Sequence, residues 1–183
     1  MTLKDRPPFS YRIRVGHVSH NPLEVHVEAD DRERAALAKL WQVLEIHSLV
    51  ADVKLTRWKR DGVKMAGRVR AKLVQACVVT LEPVEGDIDE QVEAIFVPED
   101  SRLARIAAND SAEMFIDPDG PDMPDVFEGD EIDIGAAVAE YAALGIDPYP
   151  RKPGVAFAQA EQDEAVEDKR PNPFAVLKDW KKD

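Results

Sequence analysis

The sequence predicts an α+β protein, with a mainly antiparallel β-sheet that contains a long hairpin, one long helix packed on the sheet and a shorter C-terminal helix. Three patterns lead to this prediction. Residues 48–83 alternate apolar and polar side chains on both sides of Asp61-Gly62, as two half-buried strands do. Residues 31–47 contain no Pro or Gly and follow Asp30, a typical helix-capping residue. Asp133 precedes a second helical segment in the same way.

The register of the hairpin follows from the residues that must face the core. A two-residue turn at Asp61-Gly62 would put arginines on the apolar face, because a slip of one residue exchanges the two faces of a strand. A three-residue loop, Arg60–Gly62 with Gly62 left-handed, avoids this. The resulting core pairs are Leu55 with Gly67, Val53 with Val69, Ala51 with Ala71 and Leu49 with Leu73. On the other face Lys54 lies opposite Arg68, Asp52 opposite Arg70, Val50 opposite Lys72 and Trp58 opposite Lys64.

This second face is predicted to be a basic ribbon, which we define as the Lys and Arg side chains of residues 54–72. That segment has eight Lys or Arg and one acid, whereas residues 73–147 have 20 acids and two arginines. One hypothesis is that the ribbon follows an RNA backbone while an aromatic ring stacks on a base. Its candidate contacts are Lys54, Trp58, Arg60, Lys64, Arg68, Arg70 and Lys72. The alternative is a solvated face whose cations are neutralised by Asp89 and Glu93 of a neighbouring strand.

Two further strands and a helix precede the hairpin. Phe9–Val15 and Leu23–Glu28 both alternate in period two, and we expect them to share the sheet. Asp30 and Glu33 have the spacing of a capping box for a helix over residues 31–47. Its apolar stripe, predicted to be buried against the sheet, is Leu37, Leu40, Trp41 and Leu44.

After the hairpin, Ile88–Val97 is the next predicted strand, with Ile88, Val92, Ala94 and Phe96 on its apolar side. A helix is predicted from Ile134 to about Leu144, stopped by Gly145 and Pro148.

We expect one domain over residues 1–153, in which residues 98–130 form an irregular acidic segment. A disordered linker is expected over 154–171, followed by a tail motif over 172–183. The apolar anchors of that tail are Phe174, Leu177 and Trp180, which dock either on the protein itself or on a partner.

Bulk properties narrow the classes of function. The formal net charge of −12 argues against a protein whose whole surface binds nucleic acid. The sequence shows no export signal and no apolar run long enough to span a membrane. Its single cysteine cannot form an internal disulfide, which suits a reducing compartment. We therefore expect a cytoplasmic protein. Cys77 is expected to be a small buried apolar residue rather than a nucleophile. The four histidines lie apart from Cys77 in the sequence, so no metal site is predicted. The sequence contains no phosphate-binding glycine motif, and no other cofactor is predicted.

Four motifs in order resemble the YceD family, the large ribosomal RNA subunit accumulation proteins. They are Cys77-Val-Val-Thr-Leu-Glu-Pro83, Glu131-Ile-Asp-Ile-Gly135, Asp147-Pro-Tyr-Pro-Arg-Lys-Pro153 and Asn172-Pro-Phe-Ala-Val-Leu177. The resemblance extends from about Phe9 to the end of the chain. Many relatives carry a second cysteine three residues after the first, where this chain has Thr80, and some carry further cysteines near the C-terminus. The usual four-thiolate zinc site is therefore excluded here.

The resemblance implies a non-enzymatic factor that supports accumulation or processing of large-subunit ribosomal RNA, with that RNA or the pre-ribosomal large subunit as partner. The alternative function is an acidic adaptor that holds a basic ribosomal protein without contacting RNA. A hydrolase or metalloenzyme finds no supporting group of residues in the sequence.

Overall fold

The computed structural model describes residues 7–19, 21–101 and 123–155. Its elements, all within a compact unit that ends at Lys152, are strand β1 (Arg12–Arg14), a 3₁₀ turn (Val15–His17), strand β2 (Leu23–Glu28), helix α1 (Asp31–Trp41), strands β3 (Glu45–Trp58), β4 (Gly62–Ala76), β5 (Pro83–Pro98), β6 (Asp125–Phe127) and β7 (Glu131–Asp133), and helix α2 (Ile134–Leu144). A five-stranded sheet has the order β2-β3-β4-β5-β6, and β1 pairs with β7 in a separate two-stranded sheet. Of the strands described, only β6 runs parallel to its neighbour. The predicted α+β class with a mainly antiparallel sheet is confirmed.

One face of the five-stranded sheet carries the core. Helix α1 packs against β3, and α2 packs against β4 and β5. The alternating residues of the three long strands that point to this face are almost completely buried, for example Leu49, Val69 and Val92. Each large side chain removed from water in this way contributes about 1.5–3 kcal/mol. The opposite face, which we call the open face, carries most of the charged residues of the same strands.

Helix α1 is shorter than predicted. The capping box is confirmed, since the Asp30 carboxylate accepts from the backbone N–H of Glu33 and the Glu33 carboxylate accepts from that of Asp30. However, the helix ends at Trp41, because Gln42 adopts a left-handed conformation and Glu45 already begins β3. The residues that the helical pattern assigned to the last turns of the helix begin β3 instead, where they pair with β4.

The predicted apolar stripe of this helix is therefore only partly correct. Leu37 is fully buried and Trp41 packs against the core, but Leu40 is 62% and Leu44 57% exposed. Leu44 lies beyond the end of the helix and its N–H bonds to the carbonyl of Val74.

The expectation that Phe9–Val15 shares a sheet with Leu23–Glu28 is wrong. Only Arg12–Arg14 is a strand, and it pairs with β7. The cause is Asp133, whose carboxylate accepts hydrogen bonds from the Ser10 hydroxyl at 2.5 Å and the Tyr11 N–H at 2.9 Å. The same carboxylate caps α2 by accepting from the N–H of Ala136 at 3.1 Å.

The hairpin has the predicted faces but a different register. Each of these β3 residues pairs two positions earlier on β4 than predicted. On the core face, Leu49 lies opposite Ala71, Ala51 opposite Val69, Val53 opposite Gly67 and Leu55 opposite Met65. On the open face, Val50 lies opposite Arg70, Asp52 opposite Arg68, Lys54 opposite Ala66 and Trp58 opposite Gly62. The loop has three residues, as expected, but they are Lys59, Arg60 and Asp61, and the left-handed residue is Lys59 with φ 52°.

Two glycines explain this register. A Cβ on Gly62 would lie 2.9 Å from the indole of Trp58, so only glycine leaves room for the ring opposite it. A Cβ on Gly67 would lie 2.6 Å from the Cα of Val53 and still closer to the carbonyl oxygen of Asp52. The observed register places both glycines where the neighbouring strand comes closest.

The later elements agree with their predictions. The predicted strand Ile88–Val97 lies inside the longer β5, and its four apolar residues are buried. Helix α2 covers the predicted range, with Asp133 at its N-cap and Gly145 at its C-cap. Strands β6 and β7, each three residues long, were not anticipated, and β6 lies inside the segment 98–130 that was predicted to be irregular.

Several predictions lie largely or wholly outside the described residues. These are most of the irregular segment over 98–130, the linker over 154–171, and the tail with Phe174, Leu177 and Trp180. Among the described residues, neither helix has the length and apolar character needed to cross a bilayer.

Replacing Gly67 with Ala should destabilise the protein by about 1–3 kcal/mol, because the new methyl group meets backbone atoms that cannot move aside. Gly86→Ala is the matched control, since its Cβ would meet only the flexible side chains of Leu73 and Gln75, at 3.3 and 3.6 Å. Urea unfolding midpoints measure both. Equal midpoints for the two variants would contradict the close approach of β3 and β4 at Gly67.

Candidate nucleic-acid interface

The basic ribbon lies on the open face, and five of its cations form ion pairs within the sheet. The pairs are Lys54–Glu24 at 2.8 Å, Lys64–Glu93 at 2.5 Å, Arg68–Asp89 at 2.6 Å, Arg70–Asp52 at 2.8 Å and Lys72–Asp87 at 3.5 Å. Five different carboxylates from β2, β3 and β5 therefore match five cations, and these ten side chains have no net charge. Neutralisation by a neighbouring strand, the alternative raised by the sequence, is realised at these positions.

The strand register produces these pairs. Lys54 lies directly opposite Glu24, and Lys72 directly opposite Asp87. The two arginines pair diagonally instead: Arg68 lies opposite Asp52 but binds Asp89, whereas Arg70 lies opposite Asp89 but binds Asp52. Opposite charges on adjacent strands stabilise a sheet by roughly 0.2–1 kcal/mol per pair.

The pairs shift the pKa values of several members. A hydrogen bond and the charge of Lys54 lower the pKa of Glu24, and the same contact raises that of Lys54. The pKa of Asp52 is lowered mainly by its hydrogen bond to His26 Nδ1, 2.7 Å away, with a further contribution from Arg70. All of these groups remain exposed, so water and salt screen the pairs strongly.

The hairpin tip, defined as residues 57–61, differs from the ribbon along the strands. The Lys59 ammonium lies 4.2 Å from the centroid of the Trp58 ring. Arg60 is exposed and forms no ion pair with any described residue. Arg57 donates to a neutral acceptor, the carbonyl of Val15, at 3.4 Å. Three cations and one aromatic ring thus accompany a single acid, Asp61, at the tip.

The structure therefore divides the predicted contacts into two groups. Trp58 and Arg60 are at the tip, whereas Lys54, Lys64, Arg68, Arg70 and Lys72 are ion-paired on the open face. Lys59 was not among the candidates, although its position beside a tryptophan in a cationic turn was visible in the sequence. RNA binding by any of these residues stays a prediction.

The turn from β4 to β5 surrounds Cys77, which is buried, as predicted. Its backbone N–H bonds to the carbonyl of Glu82 at 2.8 Å, and its carbonyl accepts from the N–H of Leu81 at 2.9 Å. The backbone N–H of Lys152 points to the sulfur at 3.5 Å, while the ammonium of Lys152 binds the Glu82 carboxylate at 2.8 Å. These bonds hold residues 150–152 against the turn.

Hydrogen bonds also change the acidity of this cysteine. The Thr80 hydroxyl contributes most, followed by backbone N–H groups of Lys152, Thr80 and Val79, and together they lower the pKa of the thiol to about 6. Burial opposes this effect. Among the described residues no group of three or more His, Cys, Asp or Glu side chains has the arrangement of a metal site.

Replacing Cys77 with Ala should change the dependence of stability on pH. The thiol pKa is about 6 in the folded protein and near the ordinary 9.0 in the unfolded chain, so the folded state binds fewer protons between these values. The native chain should therefore gain stability relative to C77A as pH rises from about 6 to 9, and this gain should be absent below about pH 6. Urea midpoints of both proteins across this range measure the effect. A difference that stays constant with pH would show that folding leaves the thiol acidity unchanged.

Comparison with known proteins identifies the family. A sequence model described as large ribosomal RNA subunit accumulation protein YceD matches residues 65–181, from β4 through most of the remaining chain. No curated protein and no solved structure matches the chain. The matched region covers more than half of the sequence and includes the Cys77 turn, the start of α2 and residues 147–153. The chain therefore belongs to the YceD family of large ribosomal RNA subunit accumulation proteins.

Proposed function

We propose that this protein is a non-enzymatic factor in large-subunit biogenesis and that it contacts ribosomal RNA through the hairpin tip. The family role is accumulation of large-subunit ribosomal RNA, and its description names no chemical reaction. The observation that carries the contact is the exposed Arg60 and the Lys59–Trp58 pair, which together join cations to an aromatic ring at the end of a long, well-supported hairpin.

The chemistry of the tip suits an unpaired stretch of RNA. Stacking of a base on an aromatic side chain contributes about 1–3 kcal/mol, which exceeds the contribution of one exposed ion pair. A base that stacks on Trp58 takes the place of the Lys59 ammonium, which then becomes available for a phosphate. Duplex RNA offers no splayed base to the ring, so we expect weaker binding to it.

The open face is a weaker candidate for the first contact with RNA. Each phosphate that binds a cation there must compete with a carboxylate already 2.5–3.5 Å away. Exposed ion pairs of this kind contribute only about 0–1 kcal/mol, so the exchange itself is easy. The displaced carboxylates remain beside the phosphate, however, and their repulsion offsets the gain.

The test compares two double variants that remove the same charge. Lys59→Ala with Arg60→Ala should weaken binding to large-subunit ribosomal RNA and lower the slope of log affinity against log salt concentration by about 1–1.5, because two phosphate contacts are lost. Arg68→Ala with Lys72→Ala, on the open face, should have a much smaller effect. Filter binding or fluorescence anisotropy at several salt concentrations measures both, and gel analysis of the same samples should show intact RNA.

Other results would change the proposal in defined ways. A larger loss for the open-face variant would move the contact from the tip to the ribbon. No binding by the native chain, or equal binding by all three proteins, would reject the RNA contact. Cleavage of the RNA by the native chain would contradict a non-enzymatic role.

A further inference from the structure

Strand β5 has one edge paired with β4 and one edge that, among the described residues, is unpaired over most of its length. Its inner edge pairs with β4 over residues 83–96, from Ala76 opposite Pro83 to Val63 opposite Phe96. Its outer edge pairs with β6 only at residues 96–98. Within the described part of the chain, no strand covers the outer edge of residues 85–95. A long unpaired edge of this kind is a template for an added strand.

Two contacts show which backbone groups point outward. The N–H of Glu99 bonds to the carbonyl of Phe127 in β6, and the Glu93 carbonyl accepts from the Tyr141 hydroxyl of α2. Successive residues of a strand direct their N–H and C=O to opposite edges, and the pairing of β5 with β4 is regular. The outward groups therefore belong to the odd-numbered residues. Those of residues 85–91 have no hydrogen-bond partner among the described residues and span roughly 20 Å.

The charge of this edge selects among possible occupants. Strand β5 contains five acids and no Lys or Arg, namely Glu85, Asp87, Asp89, Glu90 and Glu93. A second copy of the chain that paired edge to edge would bring like charges together, which destabilises a sheet. RNA would be repelled for the same reason. An extended segment rich in Lys or Arg is attracted.

The pairing of β4 with the inner edge of β5 shows which side-chain pattern a strand added at the outer edge would need. On that edge β4 presents Arg68, Arg70 and Lys72 to the open face at alternate positions, and Arg68 and Lys72 bind Asp89 and Asp87. A strand on the outer edge with the same alternation would place cations on the other side of these carboxylates.

The other side chains of such a strand would point toward the helix side of the sheet. There Gly145 lies directly against Ile88 and Glu90, and the preceding Leu144 is 82% exposed. A small apolar or polar residue at alternate positions fits this side.

We propose that the outer edge of β5 at residues 85–91 binds an extended, basic protein segment by strand addition. Main-chain hydrogen bonds to the odd-numbered residues would supply the pairing, and the acids of β5 would select Lys or Arg at alternate positions. This surface goes beyond the proposed RNA contact, which lies at the hairpin tip, and the two can fail separately.

The probe is a synthetic nine-residue peptide of alternating arginine and threonine, titrated into the full chain by calorimetry. We expect binding that protects the outward amides of Asp87, Asp89 and Gln91 from hydrogen exchange. The same peptide with backbone N-methyl groups at alternate residues should bind about five- to ten-fold more weakly, because it cannot donate to the edge. Equal affinity for the two peptides would overturn strand addition.

Protein variants separate backbone pairing from charge. Gln91→Pro removes one outward N–H but leaves the bonds to β4, since proline is tolerated where its nitrogen faces away from the ladder. It should lower peptide affinity about five-fold or more with unchanged circular dichroism. Should this variant misfold, the N-methylated peptide still decides the question on the native chain.

The charge test uses Glu85→Gln, on the open face of the proposed edge, against Glu28→Gln, a matched substitution on β2, three strands away. The first should weaken peptide binding about two- to five-fold and the second should not. Equal effects of both variants would show that the peptide responds only to net charge, which would reject the site. A dimer detected by sedimentation and abolished by Gln91→Pro would assign the edge to a second copy and also reject it. Normal peptide binding by the tip variant Lys59→Ala with Arg60→Ala is expected, since the tip lies at the far end of β4.

Discussion

The continuous antiparallel pairing of β3, β4 and β5 is the constraint on which the rest of the structure depends. These strands have 14, 15 and 16 residues, and β4 pairs along most of its length on both edges. Because side chains alternate between faces, one register decides the position of every core residue and every charge together. The two described helices cover the apolar face that this pairing creates, α1 over β3 and α2 over β4 and β5.

The same pairing sorts the charges of the chain. It places the cations of β4 between the acids of β5 and those of β2 and β3, so most of the basic ribbon is neutralised where it lies. What remains are two oppositely charged features at separate places. The cations at the hairpin tip form no ion pair with any described residue, and the acids of β5 border an edge that no strand of the described residues covers beyond residues 96–98.

This separation of charges reconciles the formal net charge of −12 with membership of a family of large ribosomal RNA subunit accumulation proteins. An overall negative charge keeps such a protein from binding polyanions over its whole surface, so the proposed contact with RNA is confined to a small, projecting region. An acidic strand edge has the opposite preference and favours the basic segments of proteins. The two proposed contacts, with RNA and with a basic protein segment, would then occupy different parts of one sheet.

The sequence alone determined the elements whose signals are local. Asp30 with Glu33 and Asp133 with Gly145 determined three of the four ends of the two described helices. The period-two patterns determined which faces of β3, β4 and β5 are buried. The family resemblance rested on local motifs as well and is confirmed. Tertiary structure decided whatever depended on a partner distant in sequence. Strand pairing ended α1 at Trp41, the close approach at Gly67 and the indole at Gly62 shifted the hairpin register by two residues, and the carboxylate of Asp133 drew the N-terminal strand into a separate sheet. Periodicity specifies which way a side chain points, but only packing between strands specifies which side chain it meets.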